Sequence, residues 1–126
     1  MAIKYKLVQK INPAKPTDPK KFYANLVTRG EVSLRELAKE ISAISTVSSP
    51  DVMAVIESFL QVIPKHLAQA EIVRLGEFGS YSVRISSEGA DGEQAFNSSL
   101  IKGLNLSFRP GKEVEQVLDN VTYEKE

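Results

Sequence analysis

Cationic side chains are the groups in this sequence best placed to do chemistry, and they are unevenly distributed. Residues 1–30 carry Lys4, Lys6, Lys10, Lys15, Lys20, Lys21 and Arg29 against Asp18 alone, a net of +6. The other 96 residues hold 9 basic and 15 acidic groups, a net of −6, so the chain as a whole is formally neutral. A basic segment on an acidic body is the pattern expected of a protein that meets a polyanion, because clustered ammonium groups displace counterions from phosphates. Lys4, Lys6, Lys20 and Lys21 are the candidates there. The competing reading is a lysine-rich edge strand, in which the charges only discourage aggregation.

Other chemistries find little support. There is no Cys, which removes disulfides, thiolate zinc sites, iron–sulfur ligation and Cys nucleophiles together. His66 is the only His and has no obvious catalytic partner, so a solvated or capped imidazole is expected. No glycine-rich phosphate loop follows a strand, and no Ser occupies a nucleophile elbow. Glu88, Asp91 and Glu93 lack the full ligand spacing of a calcium loop and read as a solvated tip. The expectation is a non-enzymatic protein without cofactor, metal or small-molecule substrate.

These side chains need elements to position them, and 126 residues suffice for one domain. With 42% hydrophobic and 25% charged residues the composition is that of a folded protein. No apolar run approaches the roughly 18 residues of a membrane span, and Met1–Lys6 is not a secretory signal, so a soluble cytoplasmic protein is expected.

Ile3-Lys4-Tyr5-Lys6-Leu7 alternates apolar and basic residues, the period of a half-buried strand. Asn12-Pro13, Pro16 and Asp18-Pro19 mark a loop, and Phe22–Val27 reads as a second strand closed by Gly30. Residues 1–30 thus form a basic β extension, and 31–126 a separate domain. Ser33-Leu34-Arg35-Glu36 is a capping box, followed by Leu37, Ala38, Ile41 and Ile44 at helical spacing, which predicts a helix over 33–45. Ser49-Pro50-Asp51 starts a second helix with Ser49 as N-cap, and its broad apolar face runs toward residue 70. Pro64 predicts a kink or a restarted last turn.

Ile72–Leu75, Tyr81–Ile85 and Leu104–Phe108 read as three strands, with Gly76 and Gly79 bracketing a turn. Ser86–Ser99 is polar and aperiodic, a loop or hairpin tip. Pro110-Gly111-Lys112 opens a last short helix. The predicted order is β-β-α-α-β-β-β-α, an α+β chain.

Leu75–Val83, with its Phe-Gly-Ser-Tyr core, and Phe108-Arg-Pro-Gly-Lys112, preceded by the helix pair from Ser33 to Ala70, carry a resemblance. Over residues 31–121 the sequence resembles the bacterial HU and integration host factor family. With its N-terminal segment it is most similar to the HU-like, histone-like proteins of Bacteroidetes. The resemblance implies a two-helix hairpin, a three-stranded antiparallel sheet with a β-ribbon arm, and a short C-terminal helix, assembled as an intertwined homodimer. Phe78, Tyr81 and Phe108 match the family's aromatic cluster, and Phe59 is expected to join them across the two-fold.

The implied function is largely sequence-independent, nucleoid-associated binding of double-stranded DNA, which this family performs through the minor groove. Arg84, Lys102, Arg109 and Lys112 are the DNA-contact candidates carried over from it. The sequence departs from the family in the arm. No Pro lies between Val83 and Phe108, and the tip carries Glu88, Asp91 and Glu93. Phe96, Leu100 and Ile101 are left either to wedge into DNA or to pack on the body. Glu77 stands where the family usually has Gly. The alternative function is a scaffold module that keeps the dimeric body and has lost DNA binding, a reading favoured by a pI near 6.6.

Overall fold

In the computed structural model, which describes residues 2–11 and 13–126, the alternating N-terminal sequence forms β1 (Ala2–Lys10). A loop containing Pro13, Pro16 and Pro19 turns the chain back into β2 (Lys21–Leu26), paired antiparallel with β1 from Tyr5↔Leu26 to Lys10↔Lys21. The remaining elements are α1 (Leu34–Ala43), α2 (Ser49–Leu67), β3 (Val73–Arg74), β4 (Gly79–Ser87), β5 (Ile101–Pro110), α3 (Lys112–Asp119) and β6 (Thr122–Lys125).

The strand β6 is absent from the predicted order. It pairs parallel with β1, Ala2↔Thr122 through Tyr5↔Lys125, which makes a three-stranded sheet of order β2-β1-β6. The second sheet is antiparallel and ordered β3-β4-β5. Two compact units result. The N-terminal segment to Val32 forms one with Val117–Glu126, and Ser33–Gln116 forms the other.

The helix boundaries follow their caps. Ser33 caps α1 as predicted, its hydroxyl accepting from the Glu36 amide at 3.2 Å. For α2 the N-cap is Ser48 rather than Ser49. The Ser48 hydroxyl accepts from the Asp51 amide at 3.3 Å, and Pro50 consequently sits one position deeper in the first turn. The helix runs on through Pro64 to Leu67 without restarting. So close to the C-terminus, a missing proline N–H removes one bond from a turn that other groups close: the Ala68 amide reaches the Pro64 carbonyl at 2.9 Å. Beyond it, Ala70 adopts a left-handed φ of 62°, and the Glu71 amide returns to the His66 carbonyl at 3.1 Å. His66 Nδ1 also lies 3.1 Å from Glu71 Oε1, so the expected solvated or capped imidazole is paired across this turn.

The core of the single chain is small. Ala38 and Val52, on the helix pair α1–α2, are the only buried apolar side chains among the described residues. Phe78, Tyr81 and Phe108 do gather, with ring centres 5.8 Å apart for Phe78–Phe108 and 4.8 Å for Tyr81–Phe108. Even so, Phe78 remains 54% exposed, and Phe59 and Phe108 42%.

Candidate nucleic-acid interface

Strand register sorts the cations onto faces, because cross-strand partners share a side and neighbours alternate. In the N-terminal sheet, Lys4, Lys6, Val8 and Lys10 share a face with Lys21, Tyr23 and Asn25. Glu124, opposite Lys4, contributes the carboxylate on that side. The other face carries Ile3, Tyr5, Leu7, Phe22, Ala24, Leu26 and Tyr123, together with Gln9 and Lys125. One side of the extension is therefore basic and the other mostly apolar, with Gln9 and Lys125 as its polar members. Of the four predicted lysines, Lys4, Lys6 and Lys21 fall on the basic face, whereas Lys20 lies in the loop that leads into β2. Sequence reasoning left out Lys10, although its even-numbered place in the Lys4–Lys6 alternation was the available signal. Its ammonium lies 5.6 Å from the centre of the Tyr23 ring, within cation–π reach.

The second sheet is sorted just as sharply. Tyr81↔Phe108, Val83↔Leu106 and Ile85↔Leu104 form an apolar face, with Val73 opposite Tyr81. On the reverse side stand Ser80↔Arg109, Ser82↔Ser107 and Arg84↔Asn105, and Arg74 lies opposite Ser80. Three guanidinium groups thus share one sheet face with serines and an asparagine, and no carboxylate is placed among them by the register. Arg84 and Arg109 were expected. Arg74 was missed, because a single alternation in a two-residue strand carries almost no periodic signal.

Lys102 is set apart from these. The pairing passes from Ser86↔Gly103 to Ser87↔Ile101, and the resulting β-bulge leaves Lys102 as the extra residue. Lys112 is the first residue of α3. Beyond the bulge the ribbon ends in two 3-10 turns, Glu93–Ala95 and Ser98–Leu100, tied by the Glu88 amide to the Leu100 carbonyl at 2.8 Å. Phe96 is 42% exposed there, and residues 86–101 hold three carboxylates and no cation.

Chemically, the two polar faces can bind phosphate. Arginine offers planar, multidentate donors, serine and asparagine add neutral ones, and lysine adds point charge. Among the described residues no group of three or more His, Asp or Glu side chains is placed to hold a metal ion, and no helix is long and apolar enough to cross a membrane.

Comparison with known proteins follows the same line. Residues 1–125 match the model of the HU-HIG family, an HU domain fused to a winged helix-turn-helix, Ig or glycine-rich motif. No curated protein matches the chain. Among solved structures, a protein of Bacteroides vulgatus ATCC 8482 to which bacterial DNA binding is ascribed superposes with a TM-score of 0.66 at 18% identity. The match covers 98% of this chain and 47% of that one, so this chain spans about half the length of its structural neighbour. At that identity the likeness establishes the fold, an HU-like α+β arrangement.

Proposed function

The chain belongs to the HU-HIG family, and from that membership we propose that it binds double-stranded DNA as a homodimer, largely irrespective of sequence, through phosphate contacts. The observation that carries this reading is the polar face of the β3-β4-β5 sheet, where Arg74, Arg84 and Arg109 stand among Ser80, Ser82, Ser107 and Asn105. Such groups donate to phosphate oxygens and carry no base information by themselves. Lys102 and Lys112 add cations within the same unit, and Lys4, Lys6, Lys20 and Lys21 supply phosphate contacts of their own from the N-terminal segment. The role is binding rather than catalysis, in the nucleoid of the cytoplasm.

Support for the homodimer comes from apolar surface that one chain leaves uncovered. Val55, Phe59 and Leu60 on α2 and Ile85, Leu104 and Leu106 on the ribbon are between 42% and 75% exposed. A lone chain with two buried apolar side chains does not offset its ordering entropy, whereas a second copy that covers these faces supplies the missing burial.

A gel-shift titration with plain and distorted duplexes at two salt concentrations tests the reading. Binding that weakens with salt and is indifferent to sequence is expected. The acidic end of the ribbon, Glu88, Asp91 and Glu93, favours a second reading, a dimeric scaffold without DNA. Absence of a shift at about 50 mM salt, where phosphate binding is strong, would select it.

A further inference from the structure

We propose that the outer half of the N-terminal hairpin, Lys6–Lys10 paired with Lys21–Asn25, enters the major groove of duplex DNA with its basic face inward. The inference rests on the DNA-binding reading and adds to it which ribbon enters a groove, and which groove it enters.

Four observations lead there. First, β6 accompanies β1 only from Ala2 to Tyr5, while β2 pairs with β1 as far as Lys10. Past Tyr5 the sheet therefore narrows to two strands. Secondly, the register puts Lys6↔Asn25, Val8↔Tyr23 and Lys10↔Lys21 on one face of this ribbon. Thirdly, Lys10 and Lys21 stand directly opposite each other, an arrangement of like charges that costs stability until an anion lies between them. A pocket at this end is lined by both lysines with Tyr23, Ile11 and the carboxylate-bearing Asp18. Fourthly, residues 6–25 hold five lysines against that one acid, whereas residues 86–101 of the other ribbon hold three acids and no cation. Of the two ribbons, only the N-terminal one carries a positive outer end.

Dimensions select the groove. Two strands about 4.8 Å apart, with their side chains, are about 10 Å across, which suits a major groove about 12 Å wide and overfills a minor groove of about 6 Å. Five paired residues extend about 17 Å, and with the basic face inward this length lies along the groove. In this pose Lys10 and Lys21 hold a phosphate at the groove edge and Lys6 a second one. Asn25 and Tyr23 are the only neutral polar side chains on the inserted face. So few groups reach base edges that binding stays largely sequence-independent.

Dimethyl sulfate tests this on one duplex, because it methylates guanine N7 in the major groove and adenine N3 in the minor groove. With the full chain at saturation, guanine N7 is expected to be protected. Lys10→Ala/Lys21→Ala should lose that protection and, releasing one phosphate, flatten the salt dependence of log affinity by about 0.9 for each hairpin engaged. Lys10→Arg/Lys21→Arg should keep it, and circular dichroism confirms that both variants fold. Bound protein that leaves N7 reactive, or a Lys10→Ala/Lys21→Ala variant that still protects N7, overturns the inference while DNA binding stands. Wild-type protein that gives no gel shift on the same duplex overturns both.

Discussion

A Cβ on Gly111 would stand 1.9 Å from the carbonyl oxygen of Glu77, so the entry to α3 and the turn at Gly76–Phe78 meet backbone to backbone. The Gly111 amide donates to the Phe78 carbonyl at 3.0 Å in the same contact. Nearby, Gly79 has a φ of +147° and stands opposite Pro110, and a Cβ on it would lie 2.5 Å from the Arg109 carbonyl. The Phe-Gly-Ser-Tyr and Phe-Arg-Pro-Gly-Lys segments are thus two sides of one junction, and the junction places Arg109 on the polar face.

Gly111→Ala should therefore destabilise the fold by about 1–3 kcal/mol, the usual cost of overpacking where backbone must move. The check is the urea midpoint. A variant that unfolds within about 0.5 kcal/mol of wild type, the range of ordinary surface changes, would mean that this contact is not made.

Assembly makes a second prediction. Sedimentation at micromolar concentration should give twice 13.9 kDa. Phe78 is half exposed in one chain but is expected to be covered in the dimer, so Phe78→Ala should cost about 3–5 kcal/mol. A loss below about 1 kcal/mol, together with a monomeric mass, would show that no partner covers the ring.

Ala70 supplies a stabilising prediction. Its left-handed backbone closes α2, and a side chain there costs about 1 kcal/mol that glycine does not incur. Ala70→Gly should raise the urea midpoint accordingly without changing the slope. An unchanged or lowered midpoint would argue against the left-handed turn.

Salt dependence separates the two cationic faces. A dimer presents Lys4, Lys6, Lys20 and Lys21 twice, and if half of these groups reach phosphates, changing all four to Ala flattens the slope of log affinity on log salt by about 3–4. The matching variant, Arg74→Ala/Arg84→Ala/Arg109→Ala, should weaken binding to unrelated sequences alike. Binding untouched by either variant would remove both faces from the DNA contact.

The acidic ribbon end makes the last prediction. Deleting Gly89–Phe96 should leave the thermal midpoint within a few degrees, about 1 kcal/mol, because no residue of that stretch is buried. DNA affinity should hold or rise as carboxylates leave. A large loss of either would mean that the tip is needed by the body or by DNA.

Much of this architecture is written locally. Caps at Ser33 and before Pro50, the apolar spacing of the helix pair and the alternation in Ile3–Leu7 and Tyr81–Ile85 depend on residues a few positions apart. The elements other than β6 could therefore be placed from sequence to within a few residues, although the N-cap of α2 is Ser48 rather than Ser49 and β4 and β5 run past the predicted strands. The charge split between residues 1–30 and the rest is likewise a property of the string. Tertiary structure decided what depends on distant partners. Thr122–Lys125 is too short to show a period, and it became a strand because β1, more than a hundred residues away, offered an unpaired edge. Register, which shifts every side chain to the other face when it slips by one, put Arg74 and Arg109 on either side of Ser80 and Lys10 against Lys21. A β-bulge took Lys102 out of line. Alternation told which residues share a strand face, but only pairing told which strands lie side by side, and a phosphate surface is made of both.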